Sequence, residues 1–192
     1  MGNFYLDIET TGLNEKTDKI ITIQYQALDN QGKVRGSLMI LKEWESSEKE
    51  ILEQFIRETG ILTKKFQFIP VGYNLEFEHN FFKARAKLHE LPEVDILNNP
   101  FIDLHSMGVL MNQGMFKGAS LDKLTGKPMN GSNIPEWYAK KEYDKILEYV
   151  EVETREFLKL AEWLWRKMPM LFEEFRKEVL GEKVGLLIEM KD

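Results

Sequence analysis

The 192-residue sequence contains no cysteine and only three histidines, His79, His89 and His105. The absence of cysteine excludes disulfide bonds, thiolate zinc sites and cysteine nucleophiles. No two of the histidines have the spacing of a helical zinc motif. A metal ion bound to this chain is therefore expected to have mainly oxygen ligands, which Mg²⁺ and Mn²⁺ prefer.

Long hydrophobic runs are also absent, because charged residues interrupt every apolar stretch well before the roughly 18 to 20 residues that cross a bilayer. The N-terminus, MGNFYLDIE, lacks the basic and then apolar pattern of a signal peptide. With 43% hydrophobic residues, the chain can form one domain with a complete core, which predicts a single domain over residues 1–192. We therefore expect a soluble, cytoplasmic protein without a membrane partner.

The chain has little positive charge, with a formal net charge of −6. This balance disfavours a partner that is bound only through a basic surface, such as long duplex DNA. It does not exclude a nuclease, because carboxylates that hold divalent cations can serve an anionic substrate.

Alternation of apolar and polar residues with a period of two predicts two β-strands, and extended, β-rich or buried apolar composition predicts three more. The predicted strands are residues 3–9, 20–28, 34–41, 67–73 and 101–104. Turn residues at 29–33 join the second strand to the third, so the first three strands form an antiparallel meander. Pro70 restricts the fourth strand to a sheet edge or to the start of a strand.

Capping residues and apolar periodicity predict the helices. Ser47 and Glu50 form a capping box before a helix that ends near Gly60, and Asn74 is predicted to cap the next helix, which runs to about residue 90. Later helices are predicted at about 105–112, 120–125 and 139–167, with Pro169 breaking the last one before a further helix to about 180. Apart from its short helix, the segment 113–135 is expected to be a flexible loop, which gives the element order βββαβαβααα.

Two carboxylates end the first predicted strand. Asp7 and Glu9 are two residues apart, so both side chains project from the same face, within reach of one cation. The following Thr10, Thr11 and Gly12 supply hydroxyls and a tight turn beside them. The alternative is a surface strand end with two solvated acids.

Two further acids, Glu153 and Glu78, occupy apolar faces of predicted helices. The stripe around Glu153 consists of Ile146, Val150, Phe157, Leu160, Ala161 and Leu164. Glu78 has as helical neighbours Leu75, Phe81 and Phe82. A buried carboxylate requires a cation, a hydrogen-bond donor or a raised pKa, and Tyr149 lies one turn before Glu153. The alternative for Glu153 is a side chain that snorkels to water or pairs with a lysine.

Three separate segments thus direct acids inward, and divalent cations are the simplest remedy for the repulsion between them. Two such ions about 3.5–4 Å apart can activate a water molecule and stabilise the leaving oxygen in an in-line attack on phosphorus.

The segments that carry these acids resemble the motifs of one family. DIETTGL at 7–13 resembles the first motif of the DEDD (DnaQ-like) 3′→5′ exonuclease superfamily, and VGYNLEFEHNFF at 71–82 resembles the second. YVEVE at 149–153 is similar to the tyrosine form of the third motif, and KGASLDKL at 117–124 resembles a segment that often precedes it in proofreading and family-B-like exonucleases. The resemblance implies an α/β, RNase H-like fold, with a central mixed five-stranded sheet flanked by helices.

The resemblance also implies roles for the acids and the tyrosine. Asp7 would bridge two divalent ions, Mg²⁺ or Mn²⁺, while Glu9 and Glu153 complete the site of the ion that activates water. Glu78 would support the second ion, and Tyr149 would orient or help deprotonate the attacking water. The implied reaction removes nucleoside 5′-monophosphates from the 3′ end of single-stranded nucleic acid, with DNA favoured over RNA, and the implied partners include a polymerase or repair protein.

Residues beside the acids would contact the substrate in such an enzyme. Thr10, Thr11 and the adjacent main chain would grip the terminal nucleotide, Leu13 would wedge against the last base, and Asn74 and Phe77 would shape the pocket.

The chain departs from the family pattern at three positions. Glu78 and Glu153 stand where aspartate is usual, and Tyr73 stands where histidine is common. The longer reach of glutamate leads us to expect slower turnover or a preference for Mn²⁺. Two alternatives remain: a nucleic-acid or protein-binding module with weakened chemistry, and an endonuclease or resolvase with a related fold, which the tyrosine motif disfavours.

Overall fold

The computed structural model describes residues 2–63, 66–126, 128, 131–179 and 181. One mixed sheet has the strand order β3-β2-β1-β4-β5. The strands are β1 (Asn3–Thr10), β2 (Ile20–Leu28), β3 (Val34–Lys42), β4 (Ile69–Gly72) and β5 (Ile102–Asp103). The first three strands pair antiparallel, whereas β4 runs parallel to β1 and β5 runs parallel to β4. The predicted mixed five-stranded sheet is confirmed.

Helices cover both faces of this sheet. They are α1 (Glu48–Thr59), α2 (Leu75–Leu88), α3 (His105–Met111), α4 (Leu121–Thr125), α5 (Ile134–Ala139) and α6 (Tyr143–Val179). Leu6 and Ile8 of β1 pack in a core layer with Phe55 of α1 and side chains of α2. Tyr5 lies in the layer on the other face, with Phe157 of α6. The period of two along β1 therefore separates the two core layers, and it fixes the face from which Asp7 and Glu9 project.

The helix that follows β3 begins and ends as its sequence predicts. The Ser47 hydroxyl accepts a hydrogen bond from the backbone N–H of Glu50 at 3.2 Å, which satisfies an otherwise unpaired donor of the first turn. Gly60 ends α1 in the left-handed region, at φ 62°, where a side chain would be strained.

A buried ion pair joins α1 to α2. The carboxylate of Glu48 accepts hydrogen bonds from Arg85 at 2.8 and 2.7 Å and from the backbone N–H of Ile20 at 2.7 Å, and it lies 2.8 Å from His89 Nε2. Burial opposes the charge of Glu48, but the hydrogen bonds from Arg85 and His89 outweigh it and hold the pKa of this carboxyl below its usual value. The pair therefore fixes α2, which carries Glu78, against the start of β2.

The C-terminal half of the chain differs from the prediction in two respects. Helix α6 continues through Pro169, which is exposed, because a proline on the solvent side removes one backbone hydrogen bond and bends a helix more readily than it ends one. The predicted loop 113–135 ends in α5, and a turn with Lys141 at φ 58° separates α5 from α6. Residues 127, 129 and 130 of that loop lie outside the described residues. No helix in the described part of the chain has both the length and the apolar character to cross a bilayer.

Two predictions around β4 also need correction. Asn74 precedes α2 as predicted, but it adopts φ 67° and its side chain does not cap the helix. Asp103 does so instead, because its carboxylate accepts hydrogen bonds from the backbone N–H groups of Asn74 and Leu75 at 2.9 and 3.0 Å. The edge alternative for Pro70 is wrong, because β4 lies between β1 and β5. Pro70 is the second residue of β4, as the alternative of a strand start predicts, and β5 pairs only with the two residues that follow it.

The Glu48–Arg85 pair gives the first prediction. Replacing one partner leaves the other charge buried and uncompensated, so Glu48→Gln should lower the free energy of unfolding by about 3–5 kcal/mol. Glu53→Gln, an exposed change on the same helix, should change it by less than about 0.5 kcal/mol. Urea unfolding followed by circular dichroism measures both. Equal stability of the two variants would contradict the assignment of Glu48 as the central acceptor.

Candidate active site

The acidic site lies at one edge of the sheet. Strands β1, β4 and β5 are parallel, so their carboxyl ends meet at the same edge, where open α/β sheets commonly bind ligands. Asp7 and Glu9 lie at this end of β1, Tyr73 and Asn74 follow β4, and Asp103 ends β5.

Three carboxylates converge at this edge. One oxygen from each of Asp7, Glu9 and Glu153 lies within 4.8 Å of the other two. Glu9 is buried, whereas Asp7 and Glu153 remain partly accessible. Strand β1 positions the first two because residues two apart share a face, and the apolar stripe of α6 turns Glu153 toward them. Oxygen donors at this separation fit a divalent cation such as Mg²⁺ or Mn²⁺.

Glu78, in the first turn of α2, is the fourth acid at this site. It is 4% exposed, and its Oε2 atom has no hydrogen-bond partner among the described residues. Burial, followed by the charge of Asp7, raises the pKa of Glu78 well above its usual value, and the two carboxyl groups lie within hydrogen-bonding range. A buried carboxylate oxygen without a donor fits a site that a cation completes.

The surroundings of Asp7 also disfavour its ionised form. Burial, followed by the charge of Glu153, raises the pKa of Asp7 from 3.8 to about 7. Gln24 Nε2 and the Tyr5 hydroxyl donate hydrogen bonds to Asp7 Oδ2 at 2.9 and 3.1 Å, and they oppose this shift without cancelling it. Neutral donors alone therefore do not compensate the converging charges.

Gln24 is a site residue that the sequence analysis missed. It lies opposite Asp7 in the pairing of β1 with β2, and it is completely buried. The Thr22 hydroxyl donates to Gln24 Oε1 at 2.9 Å, so the amide NH₂ group faces Asp7 and, at 3.5 Å, Glu9. Thr22, Gln24 and Gln26 alternate with apolar residues along β2, and the sequence alone did not show that this polar side of the strand is buried.

Tyr149 lies beside the acids on α6 and is 4% exposed. Its phenol lies one helical turn before Glu153, close enough for the charge of that carboxylate to act on it. Burial, followed by the charges of Glu153 and Glu9, raises the pKa of Tyr149 far above its usual value, so the phenol stays protonated. The backbone of Gly131 approaches this hydroxyl closely, since a Cβ atom at that position would lie 3.1 Å from it.

A cavity of about 510 Å³ opens on one side of the carboxylates. Glu9, Thr10, Leu13 and Phe77 are among the residues that line it, and Leu13 is 85% exposed. The Thr10 hydroxyl donates to the Gly12 carbonyl at 2.6 Å, which holds the turn that carries Leu13. Thr11 is not among the described residues that line this cavity, and its hydroxyl accepts a hydrogen bond from the Lys19 N–H.

A second cavity, of about 380 Å³, lies on the other side of the carboxylates. Asn74, Tyr73, His105 and Glu153 line it, so Asn74 and Phe77 line different cavities. Gly131 lines both cavities. No lysine or arginine is among the described residues that line either cavity.

Comparison with known proteins identifies the fold. A family model for the RNase H superfamily matches residues 4–165. The crystal structure of Escherichia coli exonuclease I in complex with a dT13 oligonucleotide is similar, with a TM-score of 0.58 and 14% identity over 91% of this chain and 43% of that chain. The metal-free form of the E. coli exonuclease I complex with single-stranded DNA gives a TM-score of 0.56 and 13% identity over 91% and 41%.

The protein spans less than half the length of these exonuclease I chains. At such low identity the likeness shows a common fold, which agrees with the observed sheet and helices. A comparison with curated proteins gives no match. Because the family match covers most of the chain, the protein belongs to the RNase H superfamily.

Proposed function

We propose that the protein is a divalent-metal-dependent 3′→5′ exonuclease of the DEDD type, which removes nucleotides from single-stranded nucleic acid. The observation that carries this proposal is the approach of four acids from three elements of the fold to one site. Asp7 and Glu9 come from β1, Glu78 from α2 and Glu153 from α6. Repulsion between these acids lowers the stability of the folded protein unless cations bind among them. Groups of like charge that are kept despite this loss of stability are typical of functional sites.

In this proposal the four carboxylates divide between two cations. Asp7, Glu9 and Glu153 would hold one ion, and Glu78 with Asp7 would hold the other. Bound there, the ions would supply an activated water and charge stabilisation for an in-line attack on phosphorus.

Tyr149 would act as a hydrogen-bond donor. Its hydroxyl would donate to Glu153 or to the attacking water, and its raised pKa favours a role in orienting these groups over a role in removing a proton. Gln24 and Tyr5 would hold Asp7 in one orientation through their hydrogen bonds.

The cavity beside Glu9 would receive the terminal nucleotide. Phe77 and the exposed Leu13 offer apolar surface to a base, and single-stranded ligands present unpaired bases that stack on such surfaces. Thr10 would contribute through the turn that it stabilises, and Thr11 through its support of the same turn. Asn74 would contact the nucleic-acid strand from the second cavity. The exonuclease I structures, which contain a dT13 oligonucleotide or single-stranded DNA, support a DNA strand as the ligand.

Stepwise shortening of a labelled strand tests the proposed activity. Single-stranded DNA and RNA, each labelled at the 5′ end, are incubated with the protein in Mg²⁺, Mn²⁺ or chelator. We expect a ladder that shortens from the 3′ end and disappears in chelator, with Mn²⁺ at least as effective as Mg²⁺. Asp7→Asn, Glu78→Gln and Glu153→Gln should each lower the rate more than about 100-fold, because even supporting residues around a metal contribute about 10–100-fold.

Two exposed acids provide matched controls on the same helices. Glu76→Gln on α2 and Glu151→Gln on α6 remove the same charge away from the site and should leave the rate within about twofold. Binding without cleavage in every metal would favour the binding module, and a single internal cut would favour an endonuclease.

Thermal stability should depend jointly on pH and divalent metal. Asp7 is an acid with a pKa raised to about 7 in the folded state, so the metal-free protein loses stability as the pH rises from about 4 to 7 and stays level above that. The loss for this group is at most roughly 4 kcal/mol, or on the order of 10 °C in Tm. Added Mn²⁺ should therefore raise Tm more at about pH 8 than at about pH 5, as measured by differential scanning calorimetry.

The Asp7→Asn variant isolates this effect. Without the buried charge, it should have a higher Tm than the parent in chelator at about pH 8, and it should respond little to Mn²⁺. An identical Mn²⁺ response at both pH values would contradict competition between protons and cations at Asp7.

Tyr149→Phe tests the role of the phenol. We expect kcat to fall by about 10–100-fold while KM changes little, because the lost donor would orient Glu153 or the attacking water. The pH–rate profile should keep its shape, since a phenol that stays protonated contributes no ionisation to it. Tyr143→Phe, which preserves the ring that stacks on Trp44, is the control. Loss of a basic ionisation from the profile in Tyr149→Phe would show that the phenolate acts as a base.

A further inference from the structure

Two hydrogen bonds meet at one oxygen of the Asp7 carboxylate. The Tyr5 hydroxyl donates to Asp7 Oδ2 at 3.1 Å, and Gln24 Nε2 donates to the same atom at 2.9 Å. Each oxygen of a carboxylate has two lone pairs, so these two donors together can use the full accepting capacity of Oδ2. A cation that binds Asp7 would then find its ligand at the other oxygen, Oδ1.

A threonine hydroxyl lies behind each of these donors. Thr22 donates to Gln24 Oε1 at 2.9 Å, which leaves the amide NH₂ group on the side of Asp7. Thr154 donates to the hydroxyl oxygen of Tyr5 at 3.3 Å, so the proton of that hydroxyl is directed toward Asp7. Both threonines and both donors are buried, and each of the two short chains of hydrogen bonds therefore has a fixed direction.

The two hydrogen-bond chains hold Asp7 from different elements of the fold. Gln24 lies opposite Asp7 on β2, and its Nε2 atom is also 3.5 Å from Glu9 Oε1. Thr154 belongs to α6 and directly follows Glu153 in the sequence, so its hydrogen bond joins the helix that carries this acid to β1. Rotation of the Asp7 carboxylate would break a hydrogen bond to each of the two chains.

We propose that Thr22 and Thr154, acting through Gln24 and Tyr5, are positioning residues that hold the Asp7 carboxylate in one orientation and keep Oδ1 for divalent cations. This inference rests on the proposed function, in which two ions share Asp7. A carboxylate that is free to turn can bind a single ion through both of its oxygens. With Oδ2 occupied by protein donors, Asp7 instead offers one oxygen to both ions.

Binding of Mn²⁺ to the full chain tests the proposal without turnover. Titration calorimetry with thymidine 5′-monophosphate present should show two ions bound to the parent. Tyr5→Phe and Gln24→Met nearly keep the size of the side chain and remove its donor. Each should weaken the binding of the lower-affinity ion by about 10–100-fold, the usual effect of losing a hydrogen-bond partner of a metal ligand. Because both donors serve one oxygen, the double variant should lose less than the product of the two single effects.

Thr22→Val and Thr154→Val test the two threonines. Each variant removes only the hydroxyl behind a donor and leaves the donor and the acids in place. Each should weaken the same ion, by a smaller factor than the loss of the donor itself, because the donor remains but its direction is no longer fixed.

Three buried residues provide matched controls, because their hydrogen bonds lead away from the acids. Tyr25 donates to Glu58, Gln26 to the Gly36 carbonyl and Thr59 to the Phe55 carbonyl. Tyr25→Phe, Gln26→Met and Thr59→Val therefore remove the same groups without touching the two hydrogen-bond chains. They should leave the affinity for both ions within about twofold, and circular dichroism verifies that every variant is folded.

Electron paramagnetic resonance supplies a readout that a merely structural role would not change. Two Mn²⁺ ions that share a ligand atom are magnetically coupled, whereas separate ions give the spectrum of isolated Mn²⁺. With two equivalents of Mn²⁺, the parent and the three controls should give the coupled spectrum. The double variant Tyr5→Phe/Gln24→Met should give mainly the spectrum of isolated ions.

The possible outcomes separate this inference from the proposed function. A coupled pair of ions that binds as tightly to the double variant as to the parent would overturn the positioning role and leave the proposed function standing. Equal losses in the controls would overturn it as well, because they would show a general effect of buried polar groups. A parent that binds a single ion would exclude the sharing of Oδ1. A parent that binds no Mn²⁺ would overturn the inference and the proposed function together.

Discussion

Repulsion between converging carboxylates is the constraint on which the rest of the site depends. Asp7, Glu9 and Glu153 approach within 4.8 Å, and the buried Glu78 adds a fourth acid beside Asp7. Protonation relieves part of this repulsion, and burial together with the charge of Glu153 raises the pKa of Asp7 to about 7. A fold that only needed stability could replace these acids with apolar residues, so their presence points to a use for the charge.

Hydrogen bonds and a buried ion pair hold the segments that carry the acids in place against this repulsion. Asp103 accepts hydrogen bonds from two backbone N–H groups at the start of α2. The Glu48–Arg85 pair holds the same helix near its C-terminal end. Gln24 holds Asp7 from β2, where the sheet allows little movement. Each acid therefore stays in place because secondary structure and buried polar contacts hold the segment that carries it.

The sequence predicts those features that follow from the periodicity of one element. A period of two places Asp7 and Glu9 on one face, and a period of 3.6 places Glu153 on an apolar stripe. Features that depend on contacts between distant segments were out of reach. Asp103 caps a helix that begins 28 residues before it, and Gln24 meets Asp7 only after the strands pair. Pro169 misled the prediction because local propensity does not show which side of a helix faces solvent.

The low positive charge of the chain and the lining of its cavities have a common consequence. No lysine or arginine is among the described residues that line the two cavities beside the acids, and the net charge of the chain is −6. A phosphate group that approached the carboxylates without divalent cations would be repelled by them. In the proposed enzyme the divalent ions would therefore serve binding as well as chemistry, and the apolar surfaces of Leu13 and Phe77 would contribute the attraction that does not depend on charge.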